Sequence, residues 1–181
     1  RELTTQTDLR AWTTDLSLYN IFTTLLFSLA HRLSGQEQLS IGTPAHNRST
    51  PAFKNTPGLF IKIFPLSIEV EPTDTLMQVF EKARNENNNF LRYAQSGITT
   101  PSLNRQFNLV LNYINVHFQD FCGMPVKSNW IHSGYSDPGH HIRLQIHDFN
   151  NSGGLVFHFD LNTSVFDEAA RQEVPEHFLS L

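Results

Sequence analysis

The sequence of 181 residues contains a single cysteine, Cys122, so no internal disulfide can form. A reducing cytosol is the simplest compartment for such a chain, and we expect a cytoplasmic protein. An excess of basic charge is also lacking, because 13 Lys and Arg residues stand against 17 Asp and Glu, a formal net charge of −4. Without a Lys- or Arg-rich face, the sequence predicts no binding to nucleic acid.

No apolar run is long enough to cross a bilayer, which requires about 20 apolar residues. The longest run, residues 21–30, is interrupted by Thr23, Thr24 and Ser28. We interpret it as part of a buried helix and expect no membrane partner. With 39% hydrophobic residues, the chain can bury a sizeable core, and we predict a single domain over residues 1–181. Its 15 Phe suit a layered core and an apolar surface for a partner.

Apolar residues at helical spacing predict three helices. The first follows Asp15, a candidate N-cap, and stops at Ser34-Gly35. The second covers residues 73–91, with Asp74 as its expected cap. The third covers 165–181, where Pro175 should kink or restart it. The second helix is expected to bury a stripe of four residues, Leu76, Val79, Phe80 and Ala83.

Alternating and apolar segments predict the strands. Residues 38–43 form a short strand, followed by a loop over 43–56. Because proline cannot donate to a ladder, Pro65 makes residues 59–70 either two strands or one strand with a bulge. Residues 105–115 are covered on both faces, with Phe107 on the side of Leu109. After a long excursion at 118–139, residues 140–148 and 155–161 form a hairpin around the turn at 150–154. The fold class is therefore an α/β (α+β) sandwich, a mixed sheet with helices packed on it.

Two segments carry a family resemblance: Ile41-Gly42-Thr43-Pro44-Ala45-His46-Asn47-Arg48 and Pro57-Gly58-Leu59-Phe60-Ile61-Lys62-Ile63-Phe64-Pro65-Leu66. In the second, Gly58 and Phe60 match the motif (Ile/Val)-Gly-x-Phe-Val-Asn-Thr, whereas Lys62 replaces its Asn. A later motif, Ser-Arg-Asn-Pro-x-Phe, is retained at Ser102, Asn104 and Phe107. Together these segments resemble the C-terminal half of the condensation domain of nonribosomal peptide synthetases.

The resemblance implies a two-lobed enzyme with the chloramphenicol-acetyltransferase-like (CoA-dependent acyltransferase) fold, whose lobes form a V around a tunnel. Donor and acceptor peptidyl carrier proteins would present thioesters on 4′-phosphopantetheine arms, beside a neighbouring adenylation domain, with no cofactor bound directly. The family's catalytic signature HHxxxDG belongs to the N-terminal lobe and does not occur in this sequence. We therefore expect a C-terminal lobe that needs that partner lobe, carries no catalytic residue and is inactive alone. Since the sequence begins Arg1-Glu2-Leu3, we expect a piece of a larger protein.

His140-His141 does not reproduce the signature, because the next acidic residue, Asp148, comes too late. Alternation favours a half-exposed polar strand face instead. Pairing across the turn would bring His147 or His141 near His158, but the spacing matches no known ligand pattern, and no metal is predicted. Cys122 is expected to be a small buried residue rather than a nucleophile.

Candidate residues for the tunnel or its supporting loops follow from the motifs. An Arg at position 48 can fork hydrogen bonds to backbone carbonyls, which favours loop support over substrate contact. Asn112, on a buried strand, is either tunnel-lining or structural. Gly58 and Phe60 are expected to serve close backbone approach and core filling. The full set is Asn47, Arg48, Gly58, Phe60, Lys62, Asn104 and Asn112.

Two alternatives stay open at this point. One is a non-catalytic carrier-protein docking or scaffold module of the same fold. The other is a related epimerising, cyclising or ester-forming acyltransferase, whose distinguishing motifs would also lie outside this chain.

Overall fold

The structure is a computed structural model that describes residues 2–6, 15–48, 50–93, 106–116, 118, 120–135, 137–149 and 153–181. For residues 2–6 and 15, only the backbone is described. In chain order the elements are β1 (Glu2–Gln6), α1 (Asp15–Ser34), β2 (Gln38–Ala45), α2 (Pro51–Lys54), β3 (Lys62–Glu69), α3 (Leu76–Tyr93), β4 (Leu109–Ile114), β5 (Ile142–His147), β6 (Gly154–Leu161) and α4 (Glu168–Ser180).

The six strands form one mixed sheet in the order β1-β6-β5-β4-β2-β3. The central pairs β2–β4 and β4–β5 are parallel, and the outer pairs β1–β6, β5–β6 and β2–β3 are antiparallel. The predicted mixed sheet is therefore confirmed. The hairpin is confirmed too, because β5 and β6 pair with Gln145 opposite His158 and Leu144 opposite Phe159.

The two faces of the sheet differ in polarity because successive side chains of a strand point to opposite sides. On the helix-covered face, Ile41, Leu111 and Leu144 join a core that includes side chains of α1, α3 and α4. The residues between them point the other way. We call this second side the open face, and its central positions are Asn112, Arg143, Gln145, His158 and Asp160.

Helix α1 ends where the sequence predicts, whereas Asp15, the expected N-cap, is already a helical residue. It runs from Asp15 to Ser34 and buries Leu18, Phe22 and Leu26 against the sheet. Gly35 follows with φ +67°, and its N–H donates to the His31 carbonyl at 2.8 Å. Glycine adopts this left-handed conformation without a Cβ penalty, which explains why the helix stops there.

Helix α3 has a different cap from the predicted one. It starts at Leu76, and Thr75 and Gln78 form a reciprocal capping box in which the Thr75 N–H donates to Gln78 Oε1 at 2.8 Å. The prediction of Asp74 as cap was wrong. Its carboxylate accepts from the Glu71 N–H and from Lys82 Nζ, and the Lys82 hydrogen bond lowers the pKa of Asp74.

The buried stripe of α3 also lies further along the helix than expected. Val79 and Ala83 are buried as predicted, but Leu76 is 45% exposed. The stripe continues instead to Asn87, which is fully buried and donates from Nδ2 to Asn20 Oδ1 of α1 at 2.7 Å. A buried amide thus links the two helices, because an amide removed from water requires a hydrogen-bond partner.

Pro65 lies inside a single strand that has no bulge. The β2–β3 register is one-to-one around it, with Gly42 opposite Pro65 and Thr43 opposite Phe64. Both sequence alternatives, two strands or a bulged one, were wrong. Strand β3 is the last of the sheet order, and an edge position tolerates a residue without an N–H.

Helix α4 is shorter than predicted and continuous. It begins at Glu168, and the Asp167 side chain caps it by accepting from the Ala170 N–H at 2.8 Å. Val165 and Phe166 precede it. The helix continues through Pro175 to Ser180, so the predicted restart does not occur.

Two loop predictions are corrected in part. The expected loop at 43–56 contains the short helix α2 and the last residues of β2. In the described part of 118–139 there is no regular strand, only the Phe121–Met124 bridge, as expected of an excursion. Cys122 is exposed there with φ +52°, so its predicted burial was wrong. None of the helices described is long and apolar enough to span a membrane.

Candidate functional site

A cleft of about 570 Å³ lies on the open face of the sheet. Strands β4, β5 and β6 supply its polar floor. The ends of β2 and of the segment before β3 border it, and residues 130–133, 135 and 137 of the excursion form its far wall. The lining side chains include Pro44, Ile61, Ile63, Asn112, Arg143, Gln145, His158, Asp160, Trp130, His132, Tyr135 and Asp137.

Strand register arranges the floor in two rows. Asn112, Gln145 and His158 are direct neighbours across β4, β5 and β6, and Val110, Arg143 and Asp160 form the next row. Asn112 Nδ2 donates to Gln145 Oε1 at 3.4 Å, whereas the buried Gln145 Nε2 has no partner. Gln145, a residue of the cleft floor, thus has an amide N–H group without an acceptor.

The two carboxylates of the cleft are both engaged. Asp160 Oδ2 lies 3.1 Å from His132 Nε2, and Asp137 Oδ1 accepts from the Gly139 N–H at 2.9 Å. Arg143 lies across the strand from Asp160 but, among the described residues, has no carboxylate within ion-pair distance. Among the described residues, Arg143 is therefore a lining cation without an ion pair.

His140 and His141 occupy different surroundings. His140 stacks on Phe107 with the ring centroids 5.7 Å apart, and burial lowers the pKa of His140 below its ordinary value of 6.5. Nearby Asp137 opposes this shift and Arg143 adds to it. His141 Nδ1 lies 3.0 Å from Asn108 Nδ2. Phe107 lies against Gly42 on the open side, so its predicted position beside Leu109 was wrong.

A second pair of histidines meets across the hairpin. His147 Nε2 and His158 Nε2 lie 2.9 Å apart, so pairing does bring these two rings together. One ring must donate and the other accept, because a hydrogen bond needs one of each. His147 is buried rather than half-exposed and stacks on Phe149 at 3.8 Å. Within the described residues, no three His, Cys, Asp or Glu side chains converge as metal ligands would.

The motif residues 47, 48 and 50–60 form one unit, which we call the Arg48 loop. Arg48 Nη1 donates to the carbonyls of Phe53 and Thr56, and Nη2 donates to the Gly58 carbonyl at 3.0 Å. The guanidinium carbon lies 4.5 Å from the centre of the Phe60 ring. This is the fork to backbone carbonyls that loop support requires.

Other residues of the loop complete it. Asn47 has φ +51° and donates from Nδ2 to the Phe60 carbonyl at 2.9 Å. Gly58 has φ +150°, and a Cβ there would meet the Phe60 ring at 3.1 Å. Phe60 is half-buried against Phe53 and Arg48, outside the core, so core filling was the wrong role for it.

The structure brings only some of the sequence candidates to the cleft. Asn112 is on its floor, and the Arg48 loop ends at its border through Ile61. Lys62 is an exposed residue at the start of β3, and Asn104 lies outside the described residues. The sequence candidates omit Arg143, Gln145, Asp160 and His132. Alternation along 140–148 puts Arg143 and Gln145 on the same strand face as His141 and His147, which is the sequence signal for these two residues.

Comparison with known proteins agrees with this architecture. The family model for the condensation domain matches residues 2–181. Surfactin synthase subunit 1 of Bacillus subtilis (strain 168) is 23% identical over 180 residues, which cover 92% of this chain and 5% of that protein. An N-(5-amino-5-carboxypentanoyl)-L-cysteinyl-D-valine synthase of Amycolatopsis lactamdurans is 33% identical over 66 residues, 36% of this chain and 2% of that protein.

Solved structures show the same fold. The starter condensation domain of rhizomide synthetase RzmA superposes with a TM-score of 0.70 at 18% identity, covering 99% of this chain and 43% of that one. The first condensation domain of the calcium-dependent antibiotic synthetase gives 0.70 at 17% identity, covering 99% and 42%. This chain thus spans less than half the length of the solved domains. It belongs to the condensation domain family of nonribosomal peptide synthetases.

Proposed function

We propose that this chain is the C-terminal lobe of a condensation domain that forms amide bonds between carrier-bound acyl and aminoacyl thioesters. The observation that carries the proposal is the family match over residues 2–181 in a chain that covers 43% of a solved condensation domain. The remaining part of the domain, an N-terminal lobe with the HHxxxDG signature, would supply the catalytic histidine.

In this reaction the acceptor amine attacks the donor thioester carbonyl. A C–N bond forms, the C–S bond breaks, and the phosphopantetheine thiol leaves with a proton. The rate depends on holding the two tethered groups together and on stabilising the charges that develop. The role proposed for the present lobe is to hold the two tethered groups together. Its open face would form one wall of the substrate tunnel.

The excursion supports the proposal of a partner lobe. Its large apolar side chains are more exposed than is usual for a surface that faces only water. Ile131 is 85% exposed and Tyr135 is 71% exposed. Phe121 and Met124 are exposed nearby. Large apolar side chains exposed along one segment are typical of an interface, so we assign this segment to contact with the N-terminal lobe.

The Arg48 loop has a supporting role in the proposal. Its residues hydrogen-bond to one another. Pro44, before the loop, and Ile61, after it, border the cleft. Asn47, Arg48, Gly58 and Phe60 would thus hold the rim of the tunnel, while Asn112 lines its wall. Donor and acceptor carrier proteins would approach from outside, in the cytoplasm, beside an adenylation domain.

The test uses two carrier proteins loaded with acyl and aminoacyl groups, and mass spectrometry detects the product. The isolated chain is expected to form no amide, and activity is expected when the N-terminal lobe is supplied. An N-terminal lobe whose second signature histidine is changed to alanine is the control. Turnover by the isolated chain would overturn the proposal. Carrier binding without any product would favour a docking module, and an ester, ring or epimer would identify a related subtype.

A further inference from the structure

We propose that the open-face cleft binds the carboxylate side chain of an acidic aminoacyl substrate, and that Arg143 selects for that charge. The inference rests on the proposed function, because it names the substrate class of the same tunnel wall. It starts from the Arg143 guanidinium and from the amide beside it.

The unpaired Arg143 guanidinium, rather than the sum of charges in the cleft, favours an anion. Asp160 is bound by His132 and Asp137 by a backbone N–H, so each carboxylate already has a donor. The Arg143 guanidinium lines the same cleft and, in the described part of the chain, has no such partner. A partly desolvated cation without a counterion is stabilised most by a ligand of opposite charge.

The neighbouring amide fixes the geometry. Gln145 follows Arg143 at the next position on the same face of β5, and its buried Nε2 atom has no acceptor. A carboxylate has two oxygens, each able to accept two hydrogen bonds. The planar guanidinium can bind both oxygens side by side, and the Gln145 amide can donate to a remaining lone pair.

A carboxylate fits better than the other anion at hand, the phosphate of a phosphopantetheine arm. The cleft of about 570 Å³ has the size of a small-ligand site. The phosphodiester that joins such an arm to its carrier protein also bears one negative charge, but it stays beside the carrier at the outer end of the arm, whereas the aminoacyl side chain enters the tunnel that the cleft lines. We therefore assign the cleft to a singly charged side chain such as that of aspartate.

The experiment uses the complete condensation domain and has two arms. In the first arm the donor carrier is loaded with either an aspartyl or an asparaginyl group. In the second arm the acceptor carrier is loaded with either group. The two groups have nearly the same shape and differ in charge. On the carrier that serves this cleft, the native domain is expected to prefer aspartyl by about tenfold or more in kcat/KM. Arg143→Gln should abolish the preference mainly by raising KM for aspartyl.

Two further variants separate selection from general damage. Arg143→Lys keeps the charge but not the fork, and should retain part of the preference. Arg84→Gln removes an exposed cation of α3, on the other side of the sheet, and should keep the full preference. A native domain without preference in either arm, or a preference that survives Arg143→Gln, would overturn the inference.

A second measurement makes the inference independent of turnover. Calorimetry compares binding of the aspartyl and asparaginyl amides of aminopantetheine, which cannot react, to the complete domain. Tighter binding of the aspartyl probe that disappears in Arg143→Gln supports the inference, whether or not the domain forms an amide. A domain that forms no amide would refute the proposed function but not this inference. Equal binding of the two probes refutes the inference and leaves the proposed function standing.

Discussion

The side chain of Phe107 occupies the space in which a Cβ atom of Gly42 would lie, with Cε2 the nearest atom. Phe107 in turn stacks on His140. These contacts join β2 to the segments that lead into β4 and β5. Gly42 is therefore required by a close approach of an aromatic ring, while its pairing partners Pro65 and Val110 are ordinary strand contacts.

Gly42→Ala is expected to destabilise the protein by about 1–3 kcal/mol, because the added methyl overlaps a packed ring. Urea unfolding measures the change. Phe107→Leu in the same chain should recover part of the loss, since the smaller side chain leaves room. Gly139→Ala is the matched control, because its Cβ would meet only the end of the Asp137 side chain, at 3.3 Å. Equal losses for the two alanine variants would contradict this explanation.

Asn87→Ala is expected to cost about 1–3 kcal/mol of unfolding free energy, since it leaves Asn20 Oδ1 buried without its donor. Asn88→Ala, one residue further along α3 and exposed, should change stability by less than about 0.5 kcal/mol. The double variant with Asn20→Ala should cost less than the sum of the single changes. Additive losses would show that the two amides do not interact.

His140 predicts an acid-dependent loss of stability. Burial lowers its folded-state pKa below the ordinary 6.5, so the unfolded chain takes up the proton first as pH falls. The stabilising contribution is complete above about pH 6.5 and is lost as pH falls to the folded-state pKa.

In His140→Phe, which keeps a ring on Phe107, the unfolding free energy should fall less between pH 7 and pH 5.5 than in the native chain. Comparing the variant with the native protein cancels the other histidines. If both proteins have the same pH dependence, His140 does not titrate as described.

Arg48→Lys should loosen the Arg48 loop although it keeps the charge. A lysine ammonium cannot fork to the carbonyls of Thr56 and Gly58 while lying on the Phe60 ring. Hydrogen exchange of the hydrogen-bonded amides of Phe53, Lys54 and Thr56 is expected to accelerate roughly tenfold. Arg84→Lys, the same change on exposed α3, should leave exchange in this loop unaltered. Unchanged protection in Arg48→Lys would show that the fork is dispensable.

Cys122 should react with a thiol reagent in the folded protein, because it is exposed. One equivalent of thionitrobenzoate is expected without denaturant. Cys122→Gly should be tolerated, since φ +52° suits glycine, whereas Cys122→Val should destabilise by about 1 kcal/mol or more. A thiol that reacts only in urea would contradict the exposed position.

Capping shows where sequence reasoning reached its limit. Asp74 and Thr75 are adjacent residues that both favour an N-cap, and sequence preference alone does not separate them. In the structure Thr75 is the cap because it forms reciprocal hydrogen bonds with Gln78, while the Asp74 carboxylate accepts a hydrogen bond from Lys82. Likewise, helical spacing predicted that Val79 and Ala83 are buried. It did not predict the buried hydrogen bond between Asn87 and Asn20.

The amino-acid order alone determined the long helices, the alternation of the strands, the β5–β6 hairpin and the family, because periodicity and short motifs are local properties of the chain. The meeting of Arg143, Gln145, Asp160 and His132 in one cleft was decided only by tertiary structure. These side chains come from distant segments, and their contact depends on strand order and register, which are set by the packing of the whole sheet.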